Sequence, residues 1–485
     1  MPTRLTALDS SFLHLENGGA HMHVAAVMTF EGPPPLYVDL VDALDSRLHL
    51  VPRYRQRLAF VPLGQGRPRW VDDPHFNARY HIRHTALPAP GSDDDLRRLA
   101  ARIFGQQLDR NKPLWEIWLV EGLSDNRFAV LSKTHHALVD GVSGVDIVSV
   151  LFDASPDPAP TAPPSQPWLP RPVPTRSELL AEALLERTTV PAEAVRGLRA
   201  LTRAPRQVVS RIAGGVAGLG SMALAGLTPA PRSLLNVPIG PHRRYTWLDA
   251  DLGRFKAIKS ALGGTVNDVV LTAVTLALGR WMRDRGEDTD GLVLRAMVPV
   301  SIRVAADKSA LGNQVATMWA PLPVGVEDPV EAFADVHAAM KDLKESGQAV
   351  GAETLTQLAD FAPPTIMSQA ARLQARQRFF NLVVTNVPGP QVTLYLLGHR
   401  MLGLYPVVPL ALNQALGVAI MSYDGRLGFG LLSDYDALPD LEDIAAHLSG
   451  AIDDLAAAAG VHTPPAPNGR ARRVTAAPPA TPVVS

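Results

Sequence analysis

The chain has 485 residues, 46% of them hydrophobic, with 46 Lys+Arg against 47 Asp+Glu and no cysteine. The formal net charge of -1 gives no polybasic footing for nucleic acid. The missing cysteines exclude disulfides, thiolate metal sites and a cysteine nucleophile. The length exceeds one ordinary domain and predicts two around large cores.

Met1 to Ser10 hold no apolar stretch of the kind a secretory signal needs, so a cytoplasmic enzyme is expected. The first domain is predicted over residues 1–155, where apolar runs alternate with helical periodicity. His23–Phe30 and Phe128–Lys133 are predicted strands, and Leu36–Leu50 and Asp93–Gln107 predicted helices. Pro156–Pro174 has nine prolines in nineteen residues, a density that permits neither helix nor central strand, so an extended linker is expected. A helical region follows over Ser177–Ala225. It places Arg196, Arg199 and Arg203 on one face, a candidate contact for anionic lipid beside the plain alternative of a solvated face. Ile212–Pro231 carries no charge over twenty residues, the length of a membrane span. Its glycines, its late prolines and its few large side chains favour a packed crossover or an interfacial helix. Residues 156–240 are therefore assigned to linker and helical crossover.

A second domain is predicted over 241–463. The run from Gly263 opens a helix, with Thr265 or Asn267 as its candidate cap. Leu292–Val300, Phe380–Thr385 and Gly417–Met421 are predicted buried strands. The Pro/Ala-rich tail, 464–485, with Arg470, Arg472 and Arg473, is expected to be disordered.

The chemistry concentrates in Thr134-His-His-Ala-Leu-Val-Asp-Gly. The apolar run before it puts His135 and His136 at a strand end. Successive strand side chains point to opposite faces, so one imidazole can face a cleft while the other is held in the fold. A group that titrates near neutrality at such a place suits general base chemistry. Two buried, hydrogen-bonded histidines and a plain Asp140-Gly141 turn are the bland alternative. A metal pair is disfavoured, because adjacent strand residues diverge and no third ligand has the usual spacing. The sequence holds no Gly-x-Ser-x-Gly elbow, phosphate-binding Gly-Lys-Ser/Thr loop or His-Glu-x-x-His helix. Gly218-Leu-Gly-Ser fits a dinucleotide fingerprint only loosely and follows no strand.

His-His-x-x-x-Asp-Gly resembles the hallmark of the CoA-dependent acyltransferase superfamily. The chain is similar, more specifically, to bacterial wax ester synthase/diacylglycerol acyltransferases. The resemblance runs through Leu5-Thr-Ala-Leu-Asp-Ser-Ser-Phe-Leu-His-Leu-Glu, Met22-His-Val, Pro113-Leu-Trp, Asn267-Asp268, Val298-Pro-Val-Ser-Ile-Arg, Gly312-Asn-Gln, Asn386-Val-Pro-Gly-Pro and Ser422-Tyr-Asp-Gly-Arg-Leu-Gly-Phe-Gly. It implies an α/β fold of two chloramphenicol-acetyltransferase-like sandwich domains joined by a long helical crossover, with the active site between them.

By that resemblance His135 is structural and His136 the general base. His136 takes the proton of a diacylglycerol or long-chain alcohol hydroxyl, which attacks the thioester of acyl-CoA. Acyl-CoA is a co-substrate, and no cofactor or metal is implied. Asn267 is the candidate oxyanion donor, with helix capping as its competing role. Asp140 is expected to hold the loop, with Arg303 as candidate partner, and Gly141 to permit the turn behind His136. Asp268 and Trp115 are candidate substrate-side residues, with core packing the alternative for Trp115. Lipid acceptors make a peripheral place at the inner membrane or on lipid inclusions an expectation. Two alternatives remain: the same fold acylating another acceptor, such as a polyketide or sugar, and a non-catalytic lipid- or CoA-binding protein.

Overall fold

The computed structural model describes residues 3–16, 18–139, 150–159, 161–185, 229–301, 315–345 and 378–461. The first half supplies β1 (Thr3–Arg4), α1 (Ala7–Leu15), β2 (His23–Glu31), α2 (Tyr37–Arg47), β3 (Gln56–Ala59) and β4 (Arg69–Asp72). Then come α3 (Ala78–His81), β5 (Ile82–Ala86), α4 (Asp93–Phe104), β6 (Trp115–Leu123), β7 (Arg127–His135) and α5 (His136–Val139). The second half supplies β8 (Arg243–Asp251), α6 (Leu252–Leu262), α7 (Val266–Asp284), β9 (Val293–Ser301), β10 (Val315–Pro323) and α8 (Pro329–Glu345). It ends with β11 (Leu382–Val387), β12 (Tyr395–Leu396), β13 (His399–Val407), β14 (Leu416–Tyr423), β15 (Arg426–Asp434) and α9 (Leu441–Ala458).

Local chemistry explains the boundaries. Ser92 and Asp95 form a reciprocal capping box that starts α4, and Gly105 ends it short of the expected Gln107. The helix expected over Leu36–Leu50 stops at Arg47 and tightens into a short 3-10 turn. Gly263, at φ 79°, closes α6 in the left-handed conformation that glycine adopts without strain.

Two six-stranded sheets form the body, in the orders β12-β13-β2-β7-β6-β5 and β10-β9-β11-β14-β15-β8. A three-stranded sheet, β1-β4-β3, lies beside the first. The first sheet thus takes β12 and β13 from the C-terminal half. Strand β13 pairs antiparallel with β2 from Met401 opposite Phe30 to Val407 opposite Ala25. A boundary at 241 separates chain segments but not sheets.

The sheets meet where β13 lies against β15. A Cβ at Gly428 would collide with the Leu404 carbonyl, and one at Gly430 with the Pro406 carbonyl. Glycine is what lets these backbones approach. Around this contact Val27, Leu131, Tyr245, Trp247, Tyr405, Val407 and Leu432 form one buried cluster drawn from both halves. The Tyr245 hydroxyl donates to the Tyr405 carbonyl at 3.0 Å, and the Tyr405 hydroxyl to Asp249 at 2.7 Å. A second core packs α7 and α9 on the other sheet, with Val269, Leu276, Trp281 and Leu448 almost wholly buried.

The described part of the proline-rich segment contains no helix and only one isolated bridge, Asp153 to Tyr395, beside it. It is nonetheless tied down. Arg171 donates from its backbone and its Nε to Asp72 Oδ2, at 3.0 and 3.1 Å. Among the described residues no single helix is long and apolar enough to cross a membrane. The segments carrying Arg196, Arg199, Arg203, Ile212–Thr228 and the 464–485 tail lie outside the described residues.

Candidate active site

The histidine pair sits where β7 gives way to α5. Strand β7 is central, flanked by β2 and β6, and its run Phe128–His135 is buried. Its end is therefore held rigidly. The two imidazoles part company there. His135 is 1% exposed. Its Nδ1 accepts the Ala137 N–H at 3.1 Å, which leaves the ring proton on Nε2. That nitrogen lies 3.3 Å from Glu16 Oε1. His136 is only partly buried, and its ring stacks on Phe12 with centroids 4.1 Å apart and planes at 29°. Its backbone N–H donates to the Met22 carbonyl at 2.8 Å.

Glu16 is the hub beneath the pair. Its Oε1 accepts the Met22 N–H at 3.0 Å and lies 3.5 Å from His23 Nε2. Its Oε2 accepts from Arg110 Nε at 3.1 Å. Burial pushes the carboxyl up, but His135, Arg110 and His23 outweigh it and hold Glu16 well below the usual carboxylate range. Burial, with Lys133 nearby, pushes His23 well below the usual imidazole value. One ionised carboxylate thus fixes His135 directly and His136 through Met22. Phe12, from the helix that leads into Glu16, fixes the His136 ring. The sequence reading missed these roles for Phe12, Glu16 and His23. The signal was in the quoted segments Leu5–Glu16 and Met22-His-Val, but nothing in linear order says that they fold under residues 135 and 136.

A cavity of about 10 Å³, room for roughly one water, adjoins the cluster between His21, His23, Arg243, Leu410 and Leu432. Its lining comes from both halves of the chain, so the histidine cluster stands at the junction of the two sheets. Among the described residues no group of three or more His, Asp and Glu side chains is arranged to hold a metal ion.

The other expected residues are distributed as follows. Asp140, Gly141 and Arg303 lie outside the described residues. Trp115 is a core residue, 0% exposed, with its indole N–H on the Tyr54 carbonyl at 2.8 Å and His81 stacked on it at 4.6 Å. That packing leaves it no open face for substrate. Burial pushes His81 down to about 4. Thr265 caps α7, its hydroxyl accepting the Asp268 N–H at 3.2 Å while Asp268 Oδ2 accepts the Thr265 N–H at 2.9 Å. Asn267 is therefore not the cap. It sits half-buried in the first turn, between the two residues of this box. Asp268 is 1% exposed and also lies 2.8 Å from His337 Nδ1, so much of its bonding capacity serves the fold.

Comparison with known proteins accounts for nearly the whole chain. Residues 5–270 match the model of the wax ester synthase/diacylglycerol acyltransferase catalytic domain, and residues 311–456 that of the WS/DGAT C-terminal domain. A Mycobacterium tuberculosis protein named "Probable diacyglycerol O-acyltransferase tgs1" is 36% identical over 464 residues, covering 93% of this chain and 96% of the relative. The wax ester synthase/diacylglycerol acyltransferase of Marinobacter aquaeolei VT8 superposes with a TM-score of 0.65 at 29% identity, over 94% of this chain and 100% of the other. The starter condensation domain of rhizomide synthetase, solved with C8-CoA and Leu-SNAC, shares the fold at 14% identity and a TM-score of 0.57, over 95% and 94% of the two chains. The chain belongs to the wax ester synthase/diacylglycerol acyltransferase family.

Proposed function

We propose that this protein moves a long-chain acyl group from acyl-CoA to the hydroxyl of diacylglycerol, of a long-chain alcohol, or of both, with His136 as general base. The observation that carries this reading is the asymmetry of the histidine pair. His135 is sealed and held against Glu16, whereas His136 is partly open and braced on both its backbone and its ring. A base must be held still and yet reach its proton.

The acceptor O–H loses its proton to the His136 imidazole as its oxygen bonds to the thioester carbonyl carbon. The C–S bond then breaks, and the proton passes from His136 to the departing CoA thiolate. Asn267 is the proposed oxyanion donor. Its amide can donate, capping does not occupy it, and it sits at the positive end of the nineteen-residue helix α7. Asp140 and Gly141 are proposed to hold the loop after His136. The family names and the C8-CoA complex of the related condensation domain support the choice of donor. The mycobacterial relative's name supports diacylglycerol as acceptor. Because both acceptors are lipids, the proposed workplace is the surface of a membrane or lipid inclusion.

The test is CoA release from a long-chain acyl-CoA, measured with diacylglycerol, with a long-chain alcohol, with a polyketide or sugar hydroxyl, and with no acceptor. The expected result is release that depends on one or both lipid hydroxyls. Release only with a polyketide or sugar hydroxyl would overturn the acceptor assignment, and binding without release would overturn the enzyme.

A further inference from the structure

The small sheet β1-β4-β3 ends in an apolar tip. The connection from β3 to β4 opens with Phe60-Val-Pro-Leu-Gly-Gln-Gly, seven residues without a charge. Pro62–Gly64 form a tight 3-10 turn, with Pro62 setting its start. Leu63 stands on that turn 85% exposed, and Phe60 beside it 48%. Residues 176–185 are helical and cover the sheet through Leu179, which joins Ala59 and Val71 in one buried cluster. A Cβ at Gly66 would stand 2.9 Å from that of Ala183 and 3.2 Å from a Val61 methyl, so the end of this helical segment abuts the turn. The next two residues, Leu184 and Leu185, are exposed there as well.

A lone exposed leucine is ordinary. Leu63 is neither lone nor ordinary. Its φ of 57° lies in the left-handed region that suits glycine or asparagine and strains a leucine. So exposed a side chain gains too little burial among the described residues to offset that strain. Phe60, Leu184 and Leu185 gather at the same turn, and a grouped apolar patch of this kind marks a docking surface. Its shape and charge say what docks. A hairpin tip projects, which offers little area to a flat protein face but suits entry between lipid headgroups. The nearest arginines are already answered within the fold: Arg57 lies 3.9 Å from Asp73, and Arg69 2.9 Å from Glu182. The tip therefore presents apolar surface without net charge, the complement of an uncharged lipid.

We propose that this tip inserts into an uncharged lipid surface and seats the histidine pair close to it. The connection between the two is short. Strand β1 pairs with β4, Thr3 opposite Trp70, and the Leu5 N–H donates to the Pro68 carbonyl at 3.0 Å. Thr6 then caps α1, its hydroxyl accepting the Asp9 N–H at 3.0 Å. Helix α1, nine residues and about 13 Å long, carries Phe12 to the His136 ring and leads into Glu16. The hairpin and the helix that braces the base are one hydrogen-bonded unit. The proposal rests on the acceptor being a lipid, and it names the surface by which the protein meets that lipid.

The probe is a vesicle of phosphatidylcholine containing diacylglycerol. Flotation with it is measured at low and high salt, for the wild type and for the double variant Phe60→Ser, Leu63→Asn. Both side chains are exposed and asparagine suits the left-handed backbone, so the variant is expected to keep its thermal stability. The wild type is expected to float at both salt concentrations. The variant's partitioning is expected to fall about tenfold or more, the scale of returning one apolar side chain to water. CoA release with vesicle-borne diacylglycerol is expected to fall in parallel, while release with a water-soluble alcohol keeps the wild-type rate. Flotation unchanged in the variant, or abolished by salt in the wild type, would overturn the proposal. A variant that loses thermal stability would assign the tip to contacts within this chain, and a wild-type dimer that the variant dissociates would assign it to a second copy; either result overturns lipid docking. Flotation as expected, with no CoA release to any acceptor, would leave the docking surface standing and overturn the acyl-transfer reading alone.

Discussion

Glu16 is the side chain on which the histidine pair depends. It is an ionised carboxylate in a buried place, kept so by His135, Arg110 and His23. Removing one partner of such a group leaves the others uncompensated, which costs about 3–5 kcal/mol. Glu16→Gln keeps an oxygen for the Met22 N–H and loses the charge. We expect it to lower both kcat and stability, with urea unfolding reporting the second. The pH dependence has a definite sign. The folded carboxyl ionises below its ordinary value of 4.5, so its stabilisation is complete above that pH and drains as the pH falls below it. The stability gap between wild type and variant is expected to narrow on acidification below 4.5. A gap that stays constant would show that the charge of Glu16 contributes nothing. The sequence alone exposed His135 and His136 as a pair, but it could not divide their roles without the resemblance. Their asymmetry arises from Glu16 and Phe12, more than a hundred positions away in the chain.

Among the elements, the ones with strong local signals were legible. Asp93–Gln107 reads as a helix, Thr265 stands as one of two candidate caps ahead of Val266–Asp284, and periodicity marks β2 and β7. Strand β13 was not legible. Its run His-Arg-Met-Leu-Gly-Leu-Tyr-Pro-Val looks ordinary, and no local pattern says that it crosses to pair with β2 in the other half of the chain. Its meaning lies partly in two glycines of β15, which the sequence reading quoted only as part of a family motif. Gly430→Ala would drive a methyl group into the Pro406 carbonyl. We expect a loss of about 1–3 kcal/mol of stability, the usual cost of overpacking, with activity falling as the sheet junction loosens. A variant as stable as the wild type in thermal unfolding would show that the junction has slack.

The whole molecule reads as two six-stranded sheets, the first completed by two strands of the C-terminal half, with the histidine cluster at their junction and a second, polar cavity at the head of α7. That one-way crossover explains why activity would require both halves. Strand β2 is the immediate neighbour of β7, and β13 from the C-terminal half holds β2 from its other side. The ordered motifs anticipated the family. They could not locate the cavity between α7 and α8, which exists only where the Asn267-Asp268 turn meets lysines about seventy-five positions later. The central claim is that one imidazole, His136, moves the proton. The direct measurement is kcat for acceptor-dependent CoA release by His136→Ala beside wild type, with circular dichroism confirming that both fold. The expected loss is roughly 10²–10⁴-fold, the contribution of a positioned general base. A folded His136→Ala that turns over at the wild-type rate would contradict the account.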